Sequence, residues 1–167
     1  MAQQDVRYYL NGLLLEISDG LIRSVATDGH RLALCTHECD VHPEETIQLI
    51  VPRKGIMELV KLLEDSDETV EVQVSSNHIK MSLNDFVFTS KLIDGRFPDY
   101  ERVIPRNGNK IVLIDRIKLR AVLSRAAILS NEKYRGVRML FSESSLKVVA
   151  SNLEQEEAEE SLLIDYQ

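Results

Sequence analysis

Two groups of residues in this chain have the types and spacing for chemistry. Thr27-Asp28-Gly29-His30, taken with Asp99, offers an imidazole and two carboxylates, the parts of an acid–base site for hydrolysis. Cys35-x-His37-x-Cys39-x2-His42 contains zinc-ligand types within eight positions. Neither group has the context its chemistry requires. No nucleophile elbow, phosphate loop or metal cluster accompanies Asp28, His30 and Asp99, and a glycine between Asp and His is ordinary hairpin chemistry. A small hydrolase using these three residues stands as the alternative function. The cysteine–histidine spacing fits no zinc pattern, and Cys35 falls within a strand pattern. A small buried thiol beside exposed loop residues is the expectation there, with no metal and no cofactor.

Charge gives a second set of candidates. The formal net charge is -7, which argues against a chain that grips nucleic acid over its whole surface. The signs are segregated, however. Glu154, Glu156, Glu157, Glu159 and Glu160 crowd one short stretch, whereas Arg53, Lys54, Lys61, Arg116, Lys118, Arg120 and Arg125 favour two helical segments and their starts. Arg53 and Lys54, at a helix start, suit phosphate contacts that carry no sequence information. Near the N-terminus, Gln4 and Arg7-Tyr8-Tyr9 place a cation beside adjacent aromatics, one of which must point inward if the segment is a strand.

The elements that would position these residues form a repeat. Leu49-Ile50-Val51-Pro52-Arg53 and Val112-Leu113-Ile114-Asp115-Arg116 each run from a short apolar strand into a helix, offset by 63 positions. The helical stripes correspond in kind: Ile56 with Leu119, Leu59 with Val122, Val60 with Leu123, and Leu63 with Ala126. Pro52 suits a helix start, and Asp115 is a good N-cap. Antiparallel strands follow each helix, at Val70–Val74 with Ile79–Leu83 and at Val137–Phe141 with Leu146–Ala150. The chain opens with three more strands: Arg7–Ile17, kinked at Asn11-Gly12, then Leu21–Ala26 and His30–Thr36. Leu21–Thr27 echoes Leu146–Ser151, so the opening reads as a third copy without its first half. A duplicated strand–helix–strands module implies an α+β scaffold, which matters more here than any candidate catalytic residue.

At 167 residues, with 44% hydrophobic and 28% charged side chains, the chain can bury a core. No window approaches the ~18 apolar residues of a membrane span. The first residues show no secretory pattern, and two cysteines are too few for a disulfide framework, so the cytoplasm is the expected compartment. Arg106-Asn107-Gly108-Asn109 reads as a domain boundary. Asp94-Gly95-Arg96-Phe97-Pro98-Asp99-Tyr100 carries aromatic rings that are unusual in a solvated linker, so it should pack on something.

Four motifs, Thr27–Leu32, Val51–Gly55, Asp94–Tyr100 and Ala126–Lys133, closely resemble the bacterial DNA polymerase III β subunit, the sliding clamp. The resemblance implies a DNA-clamp fold of β-α-β-β-β units, with helices on one face of antiparallel sheets. Residues 1–106 would be the second clamp domain lacking its first strand and helix, and 107–167 the first half of the third. It also implies a non-catalytic processivity factor of the replicative polymerase, a homodimeric ring that slides on duplex DNA and has no membrane partner.

Carried over residue by residue, the resemblance gives Gln4, Arg7, Tyr8, Tyr9, Arg53 and Lys54 as DNA contacts. Leu10, Thr27, Gly29, His30, Arg31, Leu32, Pro98, Arg102 and Val103 become walls of a pocket for linear peptides of polymerases, the clamp loader and repair proteins. An apolar floor of Leu10, Leu32, Pro98 and Val103 with Arg31 and Arg102 at the rim suits that task. Ile128 and Leu129 become the apolar centre of a subunit interface, and Glu154, Glu156, Glu157, Glu159 and Glu160 its acidic rim. With the complementary first domain absent, the chain by itself is expected to be monomeric or to associate non-specifically through exposed apolar patches and strand edges. With the remainder of the family pocket absent, it is expected to bind such peptides weakly.

Overall fold

The computed structural model describes residues 1–63, 68–83, 85–131, 136–154 and 156–166. They divide into two compact units, Met1–Val103 and Ile104–Gln167. Within the Ala126–Lys133 motif, Glu132 and Lys133 lie outside the described residues.

The first unit opens with β1 (Gly12–Ser18), β2 (Leu21–Thr27) and β3 (Leu32–Glu38), followed by β4 (Ile47–Pro52) and α1 (Arg53–Leu62). A second meander, β5 (Glu71–Val74), β6 (His78–Leu83) and β7 (Phe86–Lys91), completes it. The first three strands and β4 make one antiparallel sheet in the order β3-β2-β1-β4, and β5-β6-β7 make another. Period-two alternation gives the first sheet two distinct faces. On one, Leu49 and Val51 of β4 with Leu15 of β1 pack against Ile56 and Leu59 of α1, against Leu63 just after it, and against Ile79 and Met81 of β6. On the other, Leu14, Val25 and Ile50 lie in register across three strands, all buried.

The second unit repeats the plan with β8 (Val112–Leu113), α2 (Arg116–Ala126), β9 (Arg138–Phe141), β10 (Ser145–Ser151) and β11 (Glu157–Leu163), then a short β12 (Asp165–Tyr166) paired with β8. Val122 and Ala126 of α2 are buried against Leu146, Val148 and Ala150 of β10, with Leu119 and Leu123 packed beside them. The Asp115 carboxylate accepts the Lys118 backbone N–H at 2.8 Å, the N-cap expected from sequence. The fold is α+β, with each helix on one face of an antiparallel sheet.

Four expectations need correction. Arg7–Ile17 is not one kinked strand: Tyr8–Asn11 form a 3-10 turn, and β1 begins only at Gly12. The N-terminal segment closes on itself instead, because the Ala2 N–H donates to the Leu10 carbonyl, and Asp5 and Asn11 exchange backbone–side-chain bonds. Val60 is 65% exposed, since the core covers only Ile56 and Leu59 of α1 and Leu63 just after it. Cys35 is exposed rather than buried, because neither face of β3 is covered over its last six residues, all of which are exposed. The acidic run lies partly within the third strand of its module, as Glu157, Glu159 and Glu160 belong to β11.

Candidate functional site

The Asp28–Arg31 turn between β2 and β3 is built by its own side chains. Thr27 Oγ1 accepts the Gly29 N–H at 3.1 Å and donates to the Arg31 carbonyl at 2.8 Å. Asp28 Oδ1 accepts the N–H groups of His30 and Arg31, both at 3.1 Å, while Oδ2 takes the Arg31 Nε–H at 2.9 Å. Gly29 sits at φ +87°, a left-handed conformation that glycine adopts without penalty. The backbone bond from His30, then that from Arg31, holds the Asp28 carboxyl below its ordinary range against the opposing effect of burial. That carboxylate is therefore a structural acceptor.

Across from the turn runs Asp94–Val103, which, as its rings suggested, packs down. Phe97 and Tyr100 are buried, and Tyr100–Arg102 form a 3-10 turn closed by the Val103 N–H on the Tyr100 carbonyl at 3.2 Å. With both anchors pointing inward, Pro98 and Asp99 between them and Val103 after them remain accessible.

Between turn and segment lies a cavity of about 310 Å³. Leu10, Thr27, Gly29, His30, Arg31, Leu32, Pro98 and Val103 line it, joined by Arg7, Tyr9, Asp99 and Tyr100. Leu10 is almost fully buried, Leu32 half-buried, and Arg31 stands at the rim with its side chain 88% exposed. Arg102 lies elsewhere: it pairs with Asp99 at 2.7 Å and borders an adjacent groove with Arg96, Phe97 and Gln48. Arg7 and Tyr9, expected only at DNA, also line this cavity. The Arg7 guanidinium lies over Gly29, 3.1 Å from where a Cβ would stand, and is held by Asp5 through Nε at 3.0 Å and Nη2 at 2.8 Å. Arg7's side-chain and backbone bonds hold the Asp5 carboxyl at about 2. The sequence signal for Arg7 was its place three residues before Leu10, but only the fold of the 1–11 segment turns it toward the turn at Gly29.

The acid–base alternative does not assemble. Asp28 is occupied by the turn, Asp99 faces Arg102, and among the described residues the His30 ring makes no hydrogen bond to either. The cysteine–histidine group also stays dispersed: His42 is bonded to Asp19 at 2.6 Å, and no cluster of three possible metal ligands occurs among the described residues.

The remaining candidates occupy separate places. Gln4 has φ +58° in the N-terminal loop, and Tyr8 is 57% exposed, edge-on to Tyr9 with ring centres 5.9 Å apart. Arg53 and Lys54 open α1, with Lys54 exposed and Arg53 half-buried. Ile128 is 77% exposed just beyond α2, while Leu129 is half-buried. Of the acidic run, Glu160 is bound in a two-pronged pair by Arg125, Glu159 meets Lys147 at 2.7 Å, and Glu156 accepts from Asn152; Glu154 and Glu157 are exposed. No described helix is long and apolar enough to cross a membrane.

The family model for the DNA polymerase III beta subunit central domain matches residues 1–99, and that for its C-terminal domain matches 101–167. The beta sliding clamp of Pseudomonas aeruginosa is 57% identical over 166 residues, covering 99% of this chain and 45% of that protein. That of Escherichia coli K12 is 53% identical over 167 residues, again covering 99% and 45%. The chain thus spans a little under half the length of these relatives. A crystal structure of the P. aeruginosa subunit superposes with a TM-score of 0.92 at 56% identity, covering all of this chain and 46% of that one. Another, at TM-score 0.88, is of the P. aeruginosa clamp bound to griselimycin. Two adjoining domain matches in the family's own order, together with a fold that superposes throughout, leave one conclusion: this chain belongs to the DNA polymerase III beta-subunit family.

Proposed function

We propose that this chain serves as a segment of a ring-shaped, non-catalytic sliding clamp in the cytoplasm. Residues 1–106 belong to the central domain and 107–167 to the C-terminal one. The clamp tethers polymerases, the clamp loader and repair proteins to duplex DNA, and they dock by short peptides in the cavity between the Thr27–Leu32 turn and the Pro98–Val103 segment. The observation that carries this reading is the composition of that cavity. An apolar floor with a few placed polar groups and a cationic rim matches a short amphipathic peptide and offers no assembled nucleophile, base and oxyanion donor.

Gln4, Tyr8, Tyr9, Arg53 and Lys54 serve as weak, screened contacts to sugar and phosphate, which allow sliding while the ring prevents escape. Arg7 divides its role, since its guanidinium is already engaged beside the pocket. Ile128 and Leu129 centre the subunit interface of a homodimer. Its acidic rim is carried mainly by Glu154 and Glu157, because Glu156, Glu159 and Glu160 already have partners within the chain.

The test is an NMR titration of the labelled chain with a synthetic peptide from a polymerase's clamp-binding segment. Shifts should concentrate at Leu10, Thr27–Leu32 and Asp99–Val103, with affinity weaker than for a complete clamp. Shifts centred elsewhere, or none at millimolar peptide, would remove the pocket assignment.

A further inference from the structure

The pocket's two walls are held by very different means. The Thr27–Leu32 wall is a hairpin turn fixed by strand pairing and by its own side chains. The Pro98–Val103 wall belongs to a segment with no ladder bonds. A buried carboxylate lies behind it: Glu16, 7% exposed, in the middle of β1 and no part of the cavity lining. In register with Glu16 stand Arg23 on β2 and Gln48 on β4. Arg23 Nη1 donates to Glu16 Oε1 at 2.7 Å and Gln48 Nε2 to Oε2 at 2.7 Å. The third donor is the Tyr100 hydroxyl, 3.0 Å from Oε1 and 84 positions away in sequence. Tyr100 itself is buried and sits between the lining residues Asp99 and Val103.

An ionised carboxylate out of water must be fully hydrogen-bonded, so each donor has a defined place, and the Tyr100 hydroxyl has one direction in which to point. Bonds to charged acceptors are also about twice as strong as neutral ones. Burial alone would raise the Glu16 pKa, but the bonds from Gln48, Arg23 and Tyr100 bring it below its ordinary value.

We infer that Glu16 is a positioning residue for the peptide pocket: through Tyr100 it fixes the Pro98–Val103 wall at the distance from the Thr27–Leu32 turn that a bound peptide requires. The inference rests on the pocket reading proposed above and adds to it a residue that never touches the ligand. Arg23 and Gln48 hold the carboxylate in place from either side, and Tyr100 transmits that position.

The test compares Glu16→Gln, Tyr100→Phe and Leu32→Ala in the 167-residue chain. Peptide affinity is read by NMR titration with the same synthetic clamp-binding peptide, and wall mobility by amide hydrogen exchange at Glu101–Val103. Tyr100→Phe removes one oxygen and leaves Glu16 with two donors, so it stays folded even if Glu16→Gln does not. With the wall in its competent position only part of the time, the apparent Kd should rise about three- to tenfold in both network variants, in proportion to the population lost. Exchange at Glu101–Val103 should quicken while amides of β1, β2 and β4 keep their protection. A merely structural role would lower protection across the whole sheet and leave affinity unchanged under folding conditions. Leu32→Ala separates the two claims, because it lies on the opposite wall. If it weakens binding and both network variants bind as wild type, the positioning role is wrong and the pocket stands. If all three bind as wild type, the pocket reading falls and this inference falls with it.

Discussion

Replacing Gly29 by alanine tests whether the turn that forms one pocket wall is as tightly determined as its hydrogen bonds imply. Gly29 has φ +87°, and an L-residue in the left-handed region costs roughly 1–2 kcal/mol. The chain could avoid this only by changing the turn, and that would break bonds: Gly29 N–H to Thr27 Oγ1, His30 N–H and Arg31 N–H to Asp28 Oδ1, and Thr27 Oγ1–H to the Arg31 carbonyl. At about 0.5–1.5 kcal/mol net for each bond, rebuilding the turn costs more than the strain, so the strain should remain and appear as lost stability. The new Cβ would also stand 3.1 Å from Arg7 Nη2, a side-chain end that needs to give by only a few tenths of an ångström and can do so while keeping its pair with Asp5. The sum is about 1–2 kcal/mol, a fall of roughly 5–12 °C in the Tm of a unit this size. Gly108→Ala is the control, since nothing lies within 4 Å of its Cβ position and its φ is not positive; it should be neutral or slightly stabilising. Thermal unfolding followed by circular dichroism, with amide signals of the first unit read by NMR, measures both. A Gly29→Ala Tm within 1 °C of wild type, with the Thr27–Leu32 amide shifts unchanged, would refute the claim that the turn is over-determined.

Two further outcomes are expected. Asp115→Ala removes the N-cap bond to Lys118 and should destabilise the second unit by about 1 kcal/mol, read as a lower urea midpoint at unchanged slope; a change within error would mean that water replaces the cap at no cost. Asp5, Asp28 and Glu16 all have folded pKa values below those of the unfolded chain, so their contribution is present above about pH 4.5 and is lost as pH falls toward about 2. Tm should fall over that window, and more gently for Glu16→Gln; parallel wild-type and variant curves would show that Glu16 does not contribute to the acid transition.

The repeat was legible because apolar periodicity is written locally. The stripe Leu119, Val122, Leu123 and Ala126 and the cap at Asp115 follow from spacing alone, and both were found in place. What the sequence hid depends on partners distant in the chain. Val60 reads as core by spacing, yet no layer reaches it. Cys35 reads as a buried strand residue, but no layer packs on that stretch of β3. β7 was missed although Phe86-Val87-Phe88 alternates. The 3-10 turn at Tyr8–Asn11 arises from bonds between Asp5 and Asn11, which no periodicity records. For the cavity, turn chemistry gave only a hairpin at Thr27–Leu32 and the rings of 97 and 100 only a packed segment; that the two face each other came from the family resemblance. Arg7 required the fold.

Glu16 marks the point where local reading fails for a physical reason. In Leu13-Leu14-Leu15-Glu16-Ile17 a glutamate reads as an outward residue, yet it shares its face with Leu14, one of the most buried residues of the unit. The discrepancy is resolved only by register, which sets Arg23 and Gln48 on either side, and by a tyrosine arriving from a later segment. An apolar residue at this position would not lower stability by necessity, since buried ion pairs are often matched by well-packed hydrophobes. It would lose direction, however. The 94–103 segment leaves the sheet where the Ile93 N–H meets the Ile50 carbonyl and closes its 3-10 turn at Val103; between these points the Phe97 ring supplies burial, which is non-directional. A hydrogen bond to a fixed carboxylate adds what burial cannot, a preferred orientation for the residues on either side of Tyr100. A cavity wall without strand pairing gains its orientation from such a bond, and in this unit the bond is drawn from β1.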